Sequence, residues 1–253
     1  MLTKDTIHIL SHPKAGRTWL RLLLSLYFQL HFDLVIPRKK WLEVQQLPDL
    51  DKRVPHVHFT HDRNSHLKPL EATRDKSIYT DNKVIYLVRD PRDVIVSNYF
   101  QQNRREPILR DAPAFLGTIK EFIRDPQWGI THDIGLMNIW AENRQIPCDF
   151  FLLRYENLTD VICQTLQFIG ISMINDHALK VAVLGCSFAN MHKMETLDWL
   201  DSGRLRSTDP NDPESFKTRR GIMGGHVDYL DNNDIDYVNL EMEKLNPYYG
   251  YTI

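Results

Sequence analysis

The chain has 253 residues, 42% of them hydrophobic, and its 31 Lys and Arg stand against 33 Asp and Glu for a formal net charge of −2. That length builds one large core, and no Gly/Ser/Pro linker or internal repeat divides it, so a single domain over residues 1–253 is expected. The balanced charge argues against a nucleic-acid partner and confines any anion site to a local patch.

The N-terminal residues lack the apolar core of a signal peptide. The longest apolar stretch, residues 19–30, contains Arg21 and Gln29 and is too short to span a bilayer. A soluble cytoplasmic protein with no membrane partner is expected. Cys148, Cys163 and Cys186 show no metal-ligand spacing and read as buried free thiols of a reducing compartment.

In chain order, residues 6–11 read as a strand and residues 19–31 as an amphipathic helix, with the turn Pro13-Lys14-Ala15-Gly16-Arg17-Thr18 between them. Residues 54–60 alternate like a strand, and the apolar run 83–88 reads as a buried parallel strand. Asp90, Pro91 and Asp93 spell a helix start, with the helix running on to Phe100. Helical periodicity covers residues 113–124 and 132–144. Residues 149–153 read as a strand, and Tyr155 to Leu158 lead into a helix ending near Gly170. Helices are also expected over 175–184 and 233–245, and a long polar surface loop over 195–216. Strands alternating with helices predict an α/β fold: three layers, P-loop-like, with a central parallel sheet flanked by helices.

The turn after the first strand has the logic of a phosphate loop without its usual spelling, Gly-x4-Gly-Lys-Ser/Thr. Lys14 comes first, then Gly16, which lets the backbone approach a phosphate, then Thr18. The following helix N-terminus adds free N–H donors. Alone, the motif fits an ordinary turn with an exposed Lys equally well. Two further basic loops support the phosphate reading: Arg89-Asp90-Pro91-Arg92-Asp93 with Ser97, and Arg219-Arg220-Gly221. Arg89 and Arg92 are also placed to pair with Asp90 and Asp93.

The run Pro-Lys-Ala-Gly-Arg-Thr-Trp resembles the 5′-phosphosulfate loop of sulfotransferases that use 3′-phosphoadenosine-5′-phosphosulfate (PAPS), whose pattern is Pro-Lys-Ser-Gly-x-Thr-Trp. Arg89 with Ser97 resembles the 3′-phosphate motif, and Arg219-Arg-Gly-Ile-Met-Gly224 resembles the third element, Arg-Lys-Gly-x-x-Gly. The matches occur in family order across nearly the whole chain.

The resemblance implies sulfuryl transfer from PAPS, leaving PAP, to a hydroxyl or N–H of a small-molecule acceptor. Lys14 would meet the charge developing on the leaving phosphate. Ala15, Gly16, Arg17 and Thr18 would hold the 5′-phosphate. Arg89, Ser97, Arg219, Arg220 and Gly221 would hold the 3′-phosphate. Trp19, Phe188 and Tyr155 match aromatics at the adenine. His61 matches the family's His of Lys-Thr-His and would be the general base, with Asp62 in reserve. No metal is required, because sulfuryl oxygens carry less charge than phosphoryl oxygens.

Phe59 stands in place of the motif's Lys, Ala15 in place of Ser, Cys186 where a Thr often contacts the base, and Gly225-His226 in place of Asp-Trp. The histidines 56, 58, 61 and 66 have no carboxylate or Cys at ligand spacing, so no metal site is predicted there. The other readings are a P-loop small-molecule kinase using MgATP and a non-catalytic nucleotide-binding protein. Segments 35–55, 101–132 and 196–216 are expected to wall the acceptor pocket. They carry Trp41, Phe115, Phe122, Trp128 and Trp199, with Asp111, Glu121, Asp125, Asp198 and Asp201. A hydroxylated natural product, an alkaloid included, suits such a mixture. The oligomeric state is left open.

Overall fold

A computed structural model describes residues 6–110 and 113–253. Four parallel strands form the central sheet: β1 (Ile7–Ser11), β2 (Val57–Thr60), β3 (Lys83–Val88) and β4 (Asp149–Arg154), in the order β2-β1-β3-β4. β1 lies in the middle, with Ile9 opposite Phe59 on one side and Ile85 on the other. Along β3 the side chains alternate between two cores, as strand geometry requires. Ile85 and Leu87 face one core, and Val84, Tyr86 and Val88 face the other.

The first core is closed by α1 (Arg17–His31) and, further along the chain, by α6 (Ile162–Phe168), α7 (Asp176–Gly185) and α8 (Phe188–Thr196). The second core is closed by α2 (Pro91–Phe100), α5 (Ile130–Asn143) and α9 (Asn232–Met242). The result is the expected three-layer α/β arrangement. From β1 the chain crosses to β2 on one side, while β3 and β4 build outward on the other. The crevice between the C-terminal ends of β1 and β3 is therefore the switch point, where open α/β sheets bind ligands. The loop ending in Gly16 and the loop beginning at Arg89 flank it.

Local chemistry sets several boundaries. Asp90 accepts a hydrogen bond from the Arg92 backbone N–H at 2.9 Å, with Pro91 at the first helical position. After Phe100 the helix widens into a π-helical turn, Gln101–Arg105, before α3 (Glu106–Arg110). Such turns re-aim side chains, and this one turns Gln101 and Arg105 toward the crevice.

Three expectations are corrected. The helix expected over 113–124 is only α4 (Ile119–Phe122), because Thr118 and Glu121 form a reciprocal cap that starts it there. Residues 195–216 are not simply a surface loop. α8 extends into them, and Glu195, Leu200, Leu205, Ser215 and Phe216 are buried. The three thiols are free, yet only Cys186 is buried, while Cys148 is exposed. Among the described residues, no helix is long and apolar enough to cross a membrane.

Candidate active site

The switch-point crevice opens into a cavity of about 1300 Å³. Of the residues predicted to act there, Lys14, Gly16, Arg17, Thr18, Trp19, His61, Arg89, Ser97, Tyr155, Phe188, Arg219, Arg220 and Gly221 all line it. Ala15 does not, because its methyl group is packed into the first core at 1% exposure. Nine Lys and Arg side chains line the cavity against three acids, Glu43, Asp93 and Glu106. A chain of net charge −2 thus concentrates positive charge in one place, as a polyanionic ligand requires.

The first loop is shaped by backbone conformation. Lys14 and Gly16 both have positive φ, 70° and 102°. A Cβ at Gly16 would lie 2.5 Å from Cδ2 of Tyr155, so glycine is needed both for the turn and for the ring. Lys14 Nζ donates to Gln101 Oε1 at 2.9 Å. Its pKa is driven well below the ordinary lysine value by burial, then by the neighbouring Lys217 and Arg105.

His61 reaches the cavity from the segment after β2. Its Nδ1 lies 2.7 Å from the Ser11 carbonyl, which can only accept, so Nδ1 carries the proton and Nε2 the lone pair. The Arg17 guanidinium contacts that Nε2. Burial, then Arg17 and His66, keep the imidazole well below its ordinary pKa, so it is neutral at pH 7.

Asp62, the reserve base, is positioned differently. Its carboxylate faces away from the large cavity and accepts from Tyr79 Oη at 2.9 Å, Trp140 Nε1 at 3.0 Å and Lys76 Nζ. Phe59 is buried beneath the Arg21 guanidinium, which lies 4.1 Å from the ring centre.

In the second loop, Arg89 lies 4.4 Å over the Tyr155 ring and 3.4 Å from Asp93. Arg92 turns outward to Asp90, at 2.7 Å, and to Asn239. Asp93 ties the second loop to the third by accepting from the backbone N–H groups of Gly224 (2.9 Å) and His226 (3.1 Å). Trp19 and Tyr155 meet edge to face at 5.2 Å, and Phe188 is 44% exposed at the rim. A Cβ at Gly221 would lie 2.3 Å from Phe188, so the third loop and this ring pack directly. Arg219 pairs with Glu214 at 2.9 Å and Arg220 with Asp228 at 2.7 Å.

Three site residues carry no local sequence signal. Lys217 Nζ donates to Thr18 Oγ1 at 3.1 Å and to the Arg204 carbonyl at 2.8 Å. Its pKa is lowered to about 7, chiefly by burial and by Arg105. Arg105 and Glu195 form a fully buried pair at 3.2 Å. Glu195 also accepts from the backbone N–H groups of Lys217 and Thr218, so it fixes the approach to the third loop.

Of the predicted acceptor-wall residues, Phe115 and Trp128 line the cavity. Trp41 and Trp199 pack against each other at 4.9 Å, and Phe122 is buried in the core. Glu121 caps α4, Asp125 accepts from the backbone of Gln127, and Asp198 and Asp201 pair with Arg206. Asp111 lies outside the described residues. The acids that do face the cavity at its acceptor side are Glu43 and Glu106.

A three-layer α/β fold with a cationic crevice at its switch point offers a site for a phosphate-bearing ligand. A sulfotransferase-domain family model matches residues 4–245. The chain is 27% identical over 252 residues to a flavonol sulfotransferase-like protein of Flaveria bidentis, covering 92% of this chain and 75% of that one. It is 24% identical over 272 residues to cytosolic sulfotransferase 12 of Arabidopsis thaliana, covering 95% and 77%.

Its fold matches that of a mouse sulfotransferase complexed with PAP (TM-score 0.59, 19% identity, 96% and 85% covered). It also matches retinol dehydratase in a complex with retinol and PAP (TM-score 0.63, 18% identity, 96% and 81% covered). The chain belongs to the sulfotransferase family, and it is an enzyme that uses PAPS.

Proposed function

We propose that residues 1–253 form one domain that transfers a sulfuryl group from PAPS to a hydroxyl of a small acceptor, with His61 as general base and without a metal in the transfer. The observation that carries this reading is the convergence of all three basic loops and His61 on one cavity.

The residues present fit such a donor. Arg89 Nε and Arg105 Nε and Nη2 are buried without hydrogen-bond partners among the described residues, as donors waiting for an anion would be. Trp19 Nε1 is likewise buried without a hydrogen-bond partner. When bound, PAPS supplies a sulfuryl group on a phosphate leaving group. Lys14, Lys217, Arg17 and Thr18 hold the 5′ end. Arg89, Ser97, Arg219, Arg220 and the Gly221 backbone hold the 3′-phosphate. Trp19, Tyr155 and Phe188 pack on the base. Arg219 and Arg220 exchange Glu214 and Asp228 for phosphate oxygens.

His61 takes the acceptor's proton on Nε2. That nitrogen becomes available when Arg17 turns from it to the 5′-phosphate, which couples donor binding to release of the base. Fixed cations meet developing charge here, so no Mg²⁺ clamp is needed.

The acceptor enters beside Phe115, Trp128 and Leu109. Glu43 is already paired with Arg204 at 2.7 Å, and Glu106 accepts from Gln101 at 2.8 Å. An aromatic hydroxylated natural product therefore suits the pocket, an alkaloid included, with the aromatic body contributing more than any cationic group. The names of the plant relatives support a cytoplasmic enzyme of secondary metabolism.

The test is transfer of labelled sulfate from PAPS to a panel of phenols, alcohols and amines without added Mg²⁺. Labelled product with a phenolic or alcoholic acceptor, and its loss in His61→Ala, is expected. A chain that binds PAP yet labels no acceptor would contradict the transfer reading.

A further inference from the structure

Behind the first loop, outside the cavity, His12, His132 and Asp133 bring their ligand atoms within 4.8 Å of one another. His12 follows β1 directly, and the other two lie on the first turn of α5. His132 and Asp133 are 5% and 3% exposed.

The hydrogen-bond pattern leaves buried acceptor atoms close together. His132 Nε2 lies 3.0 Å from the Lys68 carbonyl, which only accepts, so Nε2 holds the proton. Its Nδ1 is then a bare acceptor, buried and without a hydrogen-bond partner. Asp133 Oδ2 is buried in the same state. His12 Nε2 lies 3.0 Å from Asp133 Oδ1, and the imidazole also interacts with the Pro13 backbone.

Among the described residues Asp133 pairs with His12, and a buried carboxylate stays ionised only beside a compensating cation. A backbone carbonyl that fixes the far nitrogen of an imidazole is also the support metal-bound histidines use. Tetrahedral Zn²⁺ with bonds of about 2.0–2.1 Å sets its ligand atoms roughly 3.3 Å apart. His12 Nε2 and Asp133 Oδ1 are 3.0 Å apart and the three ligand atoms lie within 4.8 Å of one another, spacings that bracket that value.

We propose that His12, His132 and Asp133 bind one Zn²⁺, with a water in the fourth position. The ion ties α5 to the start of the Pro13-Lys14 turn and holds that turn in place. It takes no part in sulfuryl transfer, and the proposal stands whether or not the donor reading does. These ligands are separate from the histidine-rich segment 56–66. They come together where the first turn of α5 meets the residue that follows β1.

The test uses the full chain, stripped with a chelator and then titrated with Co²⁺ and Zn²⁺. One Co²⁺ per chain with the intense visible absorption of a tetrahedral site is expected, displaced by Zn²⁺, together with a Zn²⁺-dependent rise in melting temperature. Asp133→Asn and His132→Gln, checked for folding by circular dichroism, should each weaken Zn²⁺ binding at least tenfold. His56→Ala should leave it unchanged. Absence of the Co²⁺ spectrum and of any Zn²⁺-dependent melting shift in the unsubstituted chain overturns the proposal. Zn²⁺ affinity that survives both substitutions also overturns it. Should both variants fail to fold, the spectrum and melting shift of the unsubstituted chain decide.

Discussion

Lys14 and His61 differ in what they contribute, and substitution separates them. Lys14 meets charge on the leaving phosphate, so Lys14→Ala should abolish turnover while the other loop contacts keep some PAP binding; unchanged turnover removes Lys14 from the chemistry. His61→Ala should lower kcat by ~10²–10⁴, the usual contribution of a positioned base, with the melting temperature preserved. Because burial and Arg17 depress the His61 pKa, its neutral form persists below the ordinary imidazole range. Activity should fall only as pH drops below that range, and Arg17→Ala should move this acid limb upward. Lys217 gives the opposite limb. It faces Lys14, Arg17, Arg105 and Arg204, with Glu195 the opposing charge. Protonated below about pH 7, it loses its charge as pH rises through that value. The kcat/KM of the free enzyme should therefore decline above about pH 7, and Lys217→Arg should remove the decline. A profile flat to pH 9 in the unsubstituted enzyme would contradict this.

At the scale of elements, two buried acids hold the third loop where it can meet the first two. Glu195 on α8 secures Arg105 and the backbone of Lys217 and Thr218, and Asp93 on α2 secures Gly224 and His226. Glu195→Gln leaves Arg105 buried without its counter-charge. It should cost roughly 3–5 kcal/mol, read as a melting temperature lowered by about 10 °C. An unchanged melting temperature would show that water reaches Arg105. The sequence made part of this architecture legible. The apolar run of β3 and the Asp90-Pro91 start of α2 are local signals, and the structure has both where the pattern placed them. Gly16 was legible too, as the residue its turn requires. The Arg105–Glu195–Lys217 system was not, because its members are separated by 90 and 22 residues and meet only through tertiary packing. α8 was hidden for a related reason. Its inward face sets the buried acid Glu195 beside Met191, so its pattern reads as surface. Asp62 shows the converse: adjacency to His61 suggested a second base, but positive φ at Asp62 turns its carboxylate into the Tyr79–Trp140 pocket.

At the scale of the whole molecule, a nearly neutral chain carries a concentrated positive crevice at the place where its sheet topology reverses. Such a crevice draws a polyanionic nucleotide by a field that salt screens, so donor affinity should weaken as ionic strength rises while acceptor affinity holds. The central claim is that this crevice is built for a 3′-phosphorylated adenine nucleotide. Calorimetric titration with PAP, set beside a titration with MgATP, tests it most directly. We expect PAP to bind tightly without Mg²⁺, and Arg89→Ala to weaken that binding by at least tenfold. Heat from MgATP with none from PAP would contradict the account.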